Sequence, residues 1–392
     1  MNQSVLISGG GIVGAFLGME LASRNIPFTI IEKNLPTPSE FDEIRSLTLN
    51  STAHERLNEL GVETTPSIIQ SMTVLDGLGT GRLGFSAQEA NLDYLAAVLN
   101  FSELRDSLLA KVASSVISNK EITSFQSTQS GITASLSDGS ELEAALLVVA
   151  EGRNSKLAEL ISPDKTETDY QQIAKTFLVH IPELDNDRAI QIFHETEIFA
   201  LMPYKKDGAS NTFSVVWSMP KNGLATKSQD ELLPELLKFE RKLACSIEPI
   251  TEILSFPLFA HHLKEYCDDG ICAIADSAHS IHPLAGQGIN LGLADASILA
   301  EEIARGFNAG QNIGHISFLK KYELRRKAIN GAMLNGVDLL FKIFQQDNPY
   351  FRVFRNLGLK TVDNFSYLKK QFIFHASGVY KFNSAKKVCS IF

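Results

Sequence analysis

Apolar positions along the chain keep two periods, and the places where one gives way to the other mark its elements. Ser4–Ser8 is a short apolar run that reads as a buried strand. Gly9-Gly10-Gly11-Ile12-Val13-Gly14 follows at once, Ala15–Arg24 has a helical pattern, and Phe28–Glu32 is a second strand ending on a carboxylate. Phe41–Leu60 passes from a polar stretch to a helical one, with Arg45 just ahead of it. Asn91–Val112 reads as a loop and then an amphipathic helix, for which Ser102 can serve as N-cap. Ile117–Ala150 alternates in the strand manner, with Asp138-Gly139 as a hairpin turn.

Roughly 165–262 is β-rich, with strands predicted at Thr176–Ile181, Ala189–His194, Ile198–Met202 and Thr212–Trp217 and a helix near Glu231–Ala244. Glu248–Phe259 then leads back toward a third buried run, Ile271–Ala275, which stops abruptly at Asp276. A turn bearing His279, His282 and Pro283 follows, broken by Gly286-Gln287-Gly288. From Ile289 the apolar residues recur at helical spacing (Leu293, Ala296, Leu299, Ala300, Ile303), and the chain beyond Arg305 is mostly helical.

Composition adds limits. With 392 residues the chain has room for two domains with substantial cores. A formal charge of −9 argues against a nucleic-acid binder, which needs a basic field. No apolar run approaches the roughly 18 residues that cross a bilayer, and Val5–Ala22 lacks a basic leader and contains Glu20, so a cytoplasmic protein is expected. Cys245, Cys267, Cys272 and Cys389 form no CxxC pair and read as reduced thiols. Residues 352–392 hold eight Lys/Arg against one acid, Asp363, among many aromatics. This tail reads either as a solvated helical cap or as a surface for anionic lipid or an acidic partner.

The first strand, glycine turn, helix and acid-ended second strand make up the GxGxxG fingerprint in its required context. Gly9 permits the tight turn, Gly11 lets backbone approach a pyrophosphate, and Gly14 allows close packing of helix on strand. Glu32 stands where a carboxylate accepts from an adenosine ribose, and its charge disfavours a 2′-phosphate. FAD or NAD is expected there rather than NADP. The Asp276 turn offers a second helix N-terminus with free N–H groups beside a carboxylate. A buried strand at Leu146–Ala150 ending on Glu151-Gly152 suits the floor of the same site.

Three separated motifs, GGGIVG with Glu32, LLVVAEGRNS, and AIADSAHSIHPLAGQGINLGLADA, together resemble the FAD-dependent aromatic hydroxylases of the para-hydroxybenzoate hydroxylase type. HSIHPLAGQGINLGLADA is similar, more narrowly, to the ubiquinone-biosynthesis hydroxylases. So are FALMPY at 199–204, Val215-Val216-Trp217-Ser218, Asp338 with Phe341, Arg355-Asn356-Leu357-Gly358-Leu359, Leu368-Lys369 and Ala376-Ser377-Gly378. The resemblance implies an α/β fold. A Rossmann-like FAD-binding domain (1–164, returning at 263–310) would carry an inserted β-sheet substrate domain (165–262) and a helical C-terminal region (311–392).

The resemblance also implies roles. Gly9, Gly11 and Gly14 would lie against the FAD pyrophosphate, Glu32 on the AMP ribose, and Arg45 on the FAD. Asp276 would accept from a ribityl hydroxyl. Pro283 and Gly286, Gln287, Gly288, Ile289 and Asn290 would flank the flavin ring, where a reduced flavin gains from a helix N-terminus. His282 and Pro283 are the candidates for a direct part in catalysis. The implied reaction puts one atom of O2 into the ring of a polyprenylated phenol by way of a flavin hydroperoxide, with NAD(P)H or a protein donor as reductant. The enzyme would be cytoplasmic or peripheral on the inner face of the membrane, meeting it or other quinone-biosynthesis proteins through the basic tail.

No metal and no Ser/His/Asp triad is expected. His279 and His282, three apart, read as backbone-orienting or cavity-lining residues, and His261-His262 as a surface pair. Three departures from the family pattern stand out: Glu151 where aspartate is usual, Glu197-Ile198 where Gly-Pro is usual, and no glycine or tyrosine near the start of LAAVLNFSEL at 95–104. They keep two other readings open: a hydroxylase of a small soluble aromatic, and a flavin-binding member of a biosynthetic complex that does not turn over.

Overall fold

Val5–Ser8 is buried along its whole length and forms the middle of a six-stranded sheet. The order across that sheet is Cys267–Asp268, Ile271–Ala273, Leu146–Val149, Val5–Ser8, Phe28–Glu32, Val116–Ser118. All neighbours run parallel except the hairpin at the Cys267 edge. Parallel strands need cover on both faces, which is why the inner strands Val5–Ser8, Leu146–Val149 and Ile271–Ala273 are buried along their whole length. The helices Ile12–Ala22 and Gln287–Asn308 pack together, and an antiparallel meander of Ile122–Thr128, Gly131–Leu136 and Glu141–Ala144 contributes Ile132, Ala134 and Leu136 to the same core. The computed structural model describes residues 4–37, 39, 41–128, 131–205, 211–282, 286–345, 369, 370, 373 and 378. Pro283, Cys389 and, apart from those last four positions, the basic aromatic tail lie outside the described residues.

The second sheet has nine strands, and it draws on more of the chain than 165–262. Lys165–His180, Arg188–His194, Glu197–Pro203, Thr212–Pro220 and Leu254–Leu263 are joined by Ser71–Asp76 and Arg82–Ser86 at one edge and His279–Ser280 at the other, and the short Glu248–Pro249 pairs with the end of Lys165–His180. Arg188–His194 pairs in parallel with Ser71–Asp76, a contact across more than a hundred residues that leaves no local signal. Beneath this sheet Phe199 stacks on Phe239 at 4.2 Å between centroids, with Trp217 edge-on to Phe239 at 5.4 Å. The helix expected over Glu231–Ala244 is divided into Gln229–Leu232, a 3-10 turn Leu233–Leu236, and Leu237–Leu243. Pro234, which lacks an N–H, sits in the dividing turn.

Asn100, not Ser102, caps the Phe101–Val112 helix: its side chain accepts from the backbone N–H of Ser102 and Glu103. The Ile316–Gln345 helix spans both sheets. Phe318, Leu319 and Tyr322 join the core of the first, and Val337 and Phe341 pack with Phe193 and Ile198 of the second. Among the described residues no helix is long and apolar enough to cross a membrane.

Candidate functional site

Because the first sheet is parallel, the loops after Ser8, Val149 and Ala273 all emerge at its carboxyl edge, where ligands of open α/β sheets bind. With one face of the second sheet they enclose a cavity of about 1570 Å³. Two of the helices that begin on it do so uncapped. Ile12–Ala22 starts after Gly11 and Gln287–Asn308 after Gly286, and neither has a side-chain cap or an acid in its first turn. Unpaired N–H groups and the positive ends of two dipoles therefore face one space.

Gly9 (φ +103°) lines the cavity, and a β-carbon on it would lie 2.4 Å from the Ala150 carbonyl oxygen, so no other residue fits. Gly11 also lines it, and a β-carbon there would meet no protein atom within 4 Å. Gly14 lies under the turn and is not among the lining residues. Glu32 lines one end, its carboxylate accepting from the backbone N–H of Gly10 (2.5 Å) and of Asn34 (2.9 Å). Glu151 faces the same space, bound by the hydroxyls of Ser8 and Ser155 (2.6 Å to the latter), so its extra methylene is taken up by two donors.

Asp276 lines the cavity with its side chain exposed. The protein around it still desolvates the carboxyl and pushes it above the ordinary value, against the pull of His279 and Arg153. The residue before it, Ala275, has φ +52°, a left-handed conformation costing about 1–2 kcal/mol for a residue with a β-carbon. Gly286, Gln287, Gly288, Ile289 and Asn290 also line the cavity. Asn290 is buried, donating to the carbonyls of Thr48 (2.9 Å) and Gly286 (3.1 Å) and accepting from the N–H of Asn50 (2.9 Å). The Gln287 Oε1 is buried with no partner among the described residues.

Arg45 is exposed and not among the lining residues. Its guanidinium lies over the ring of Phe101 at 4.2 Å, and Phe101 lines the cavity. His282, one of the two candidates for catalysis, does not reach the cavity either. Its ring is buried between Tyr170 and Phe341, with Nε2 3.1 Å from Gln172 Oε1, and burial lowers its pKa to about 4. An imidazole so placed packs the joint between the second sheet and the Ile316–Gln345 helix. His261 and His262 are not a surface pair: His261 is buried with Nδ1 2.8 Å from Ser280 Oγ, and His262 is half-buried with Nε2 2.6 Å from Tyr266 Oη. Pairing of Leu254–Leu263 with His279–Ser280 encloses them. Among the described residues no three metal-ligating side chains cluster.

Behind the Asp276 turn lies a group that sequence reasoning missed. Asp295 is wholly buried and accepts from Ala275 N–H (3.0 Å), Arg326 Nε (2.6 Å) and Asn330 Nδ2 (3.1 Å), with His279 Nε2 at 2.6 Å. Burial alone would raise its carboxyl, but His279 and Arg326 outweigh burial and hold it well below the ordinary range. The available signal was a carboxylate at helical spacing from Leu291, Gly292, Ile298 and Leu299, none of them charged.

The other wall of the cavity is the second sheet, and its character is different. Met72, Val74, Phe85, Ala200, Met202 and Val216 line it, with Gln191 and, on the edge strand, Ser280 the polar residues. One half of the cavity thus offers glycine backbone, helix N-termini and carboxylates, and the other half hydrocarbon. An opening at Gly11 that a β-carbon would fill, an acceptor without a donor on Gln287 and two uncapped helix starts fit FAD, which brings a pyrophosphate, ribityl hydroxyls and a ring edge of amide character.

The FAD binding domain family model matches residues 2–336. The chain is 28% identical to the ubiquinone hydroxylase UbiL of Rhodospirillum rubrum, over 96% of this chain and 90% of that protein. It is 27% identical to the 3-demethoxyubiquinol 3-hydroxylase of Escherichia coli, over 96% and 98%. Klebsiella pneumoniae HpxO, solved with FAD and uric acid, superposes with a TM-score of 0.76 over 95% of this chain and 97% of its own, at 18% identity.

Proposed function

The chain belongs to the FAD binding domain family and is an FAD-dependent monooxygenase, and from that premise we propose that it hydroxylates the aromatic ring of a polyprenylated phenol on the way to ubiquinone. The observation that carries this reading is the two-sided cavity. A polar half suits the cofactor, and a hydrocarbon half lined by Met72, Val74, Phe85 and Met202 suits an isoprenoid substituent. A soluble phenol needs only a small pocket with a partner for its hydroxyl. The names of the relatives, ubiquinone hydroxylase and 3-demethoxyubiquinol 3-hydroxylase, support the same substrate class.

Bound flavin supplies the activation of O2 and the transfer of one oxygen atom to the ring. The residues of this chain bind, orient and exclude water. Gly9 and Gly11 hold the pyrophosphate, with the Ile12–Ala22 helix start supplying N–H groups, while Glu32 takes the ribose of the AMP half. Asp276 takes a ribityl hydroxyl. The start of the Gln287–Asn308 helix stabilises negative charge on the pyrimidine edge by about 0.3–2 kcal/mol, and Gln287 Oε1 gains a donor. The sheet wall keeps the reacting ring away from bulk water. Reducing equivalents come from NAD(P)H or a protein donor. The substrate is lipid-like, so the enzyme works at the inner membrane face or within an assembly of quinone-biosynthesis proteins.

The test uses purified holoprotein, chemically reduced and mixed with isotopically labelled O2 and a polyprenylated phenol in detergent micelles. A product carrying one labelled oxygen on the ring is expected. Turnover of water-soluble phenols only, or no product with either, sinks the proposal.

A further inference from the structure

Building on the FAD reading, we infer that Asp295 is a positioning residue for the cofactor site: it holds Ala275 in its left-handed conformation and so aims Asp276 into the cavity. Asp295 lies on the Gln287–Asn308 helix and Asp276 on the loop after Ile271–Ala273. The two elements meet through one backbone bond, Ala275 N–H to Asp295 Oδ2 at 3.0 Å. Ala275 is one of few residues other than glycine at positive φ (+52°), a conformation that persists only where its surroundings impose it. Gly292, one helical turn before Asp295, lets the loop approach: a β-carbon there would lie 2.7 Å from that of Ala275.

The remaining groups fix Asp295 itself. Arg326 Nε lies 2.6 Å from its Oδ1, and the same guanidinium donates to Asn330 Oδ1 (2.7 Å) and the Leu291 carbonyl (3.3 Å). Asn330 Nδ2 lies 3.1 Å from Asp295 Oδ1 and 2.8 Å from His279 Nε2. His279 comes from the same loop as Asp276, so the carboxylate grips that loop at Ala275 and again at His279. Every one of these side chains is buried and none lines the cavity. The network therefore meets the cavity through the backbone that ends in Asp276, together with the charge that His279 sets beside that carboxyl.

The test is a double-mutant cycle on FAD affinity, read by fluorescence quenching on apoprotein, with Asp295→Asn and Asp276→Asn singly and together. Asp295→Asn is expected to weaken FAD binding roughly tenfold in the wild-type background and by less than about twofold in the Asp276→Asn background, as two residues acting through one contact do. Ala275→Gly, which adopts positive φ freely, should restore most of the affinity lost in Asp295→Asn. Where Asp295→Asn alone does not fold because Arg326 is left buried and unpaired, Asp295→Asn with Arg326→Met takes its place in the cycle. Additive losses, or no rescue by Ala275→Gly, overturn the inference, since a role in stability alone would give both. Wild-type protein that binds no FAD would instead overturn the cofactor assignment on which it rests.

Discussion

A β-carbon built on Gly14 would stand 1.9 Å from the carbonyl oxygen of Gly9, so the first helix sits directly on the turn that precedes it. Gly14→Ala must push the helix off its strand. It is expected to destabilise the fold by about 1–3 kcal/mol, as overpacking does, and to lower FAD content as a consequence. Gly11→Ala makes the opposite case, because its methyl group projects into open cavity. There the apoprotein should melt within about 0.5 kcal/mol of wild type, while FAD affinity falls. Thermal melts of apoprotein and FAD titration together separate the two. Unchanged affinity in Gly11→Ala would mean that this turn does not hold the pyrophosphate.

Glu197 stands where the related hydroxylases tend to have glycine, and its place explains how the chain accommodates it. The carboxylate lies beneath the second sheet, taking Trp217 Nε1 at 2.8 Å and Lys238 Nζ at 2.6 Å, and is not among the cavity-lining residues. Glu197→Ala leaves the Trp217 N–H without a partner and Lys238 with only Glu235 at 3.8 Å, and is expected to cost about 2–4 kcal/mol. Oxygen transfer per folded molecule should not change. Urea unfolding followed by the fluorescence of Trp217, the single tryptophan, measures the first, and turnover normalised to bound flavin the second.

What the sequence discloses follows from how local each cause is. Val5–Ser8 and Leu146–Val149 were legible because strands buried on both faces are nearly continuous apolar runs. The glycines were legible because a turn on a helix start demands them. The parallel pairing of Ser71–Asp76 with Arg188–His194 was not, because register between distant strands is set by packing alone. Nor was the burial of His261, which depends on pairing with His279–Ser280. His279 drew attention as a residue type, but its partner Asp295 was hidden inside a helical pattern, and only the fold brings Arg326 to it.

Met72 is half-exposed to the hydrocarbon half of the cavity. Met72→Asn puts an amide where an isoprenoid chain is proposed to lie. An unpaired buried amide costs about 1–3 kcal/mol, so KM for a polyprenylated phenol should rise by roughly 5- to 150-fold. The flavin absorption spectrum and turnover at saturating substrate should hold. If KM for the prenylated compound is unmoved, the isoprenoid group binds elsewhere.

Acid should weaken this protein well before its carboxylates titrate. Burial is the main cause that holds His261, His262 and His282 at about 4, against an ordinary value of 6.5. Below 6.5 the unfolded chain takes up protons that the folded one refuses, so stability is complete above that pH and is lost as pH falls toward 4. Each such histidine contributes a slope of up to about 1.4 kcal/mol per pH unit in that window. Asp295 acts later: His279 and Arg326 depress its carboxyl, so its contribution is whole above the ordinary carboxylate value of 3.8 and is lost as pH falls from there toward the folded value. Urea midpoints measured from pH 7.5 to 4 should therefore fall steadily. His282→Gln, which keeps a donor toward Gln172 but cannot titrate, should flatten the fall by about one proton's worth even if its stability at neutral pH is lower. A wild-type profile flat across the window, or one that His282→Gln leaves equally steep, would show that these imidazoles are protonated in the folded protein.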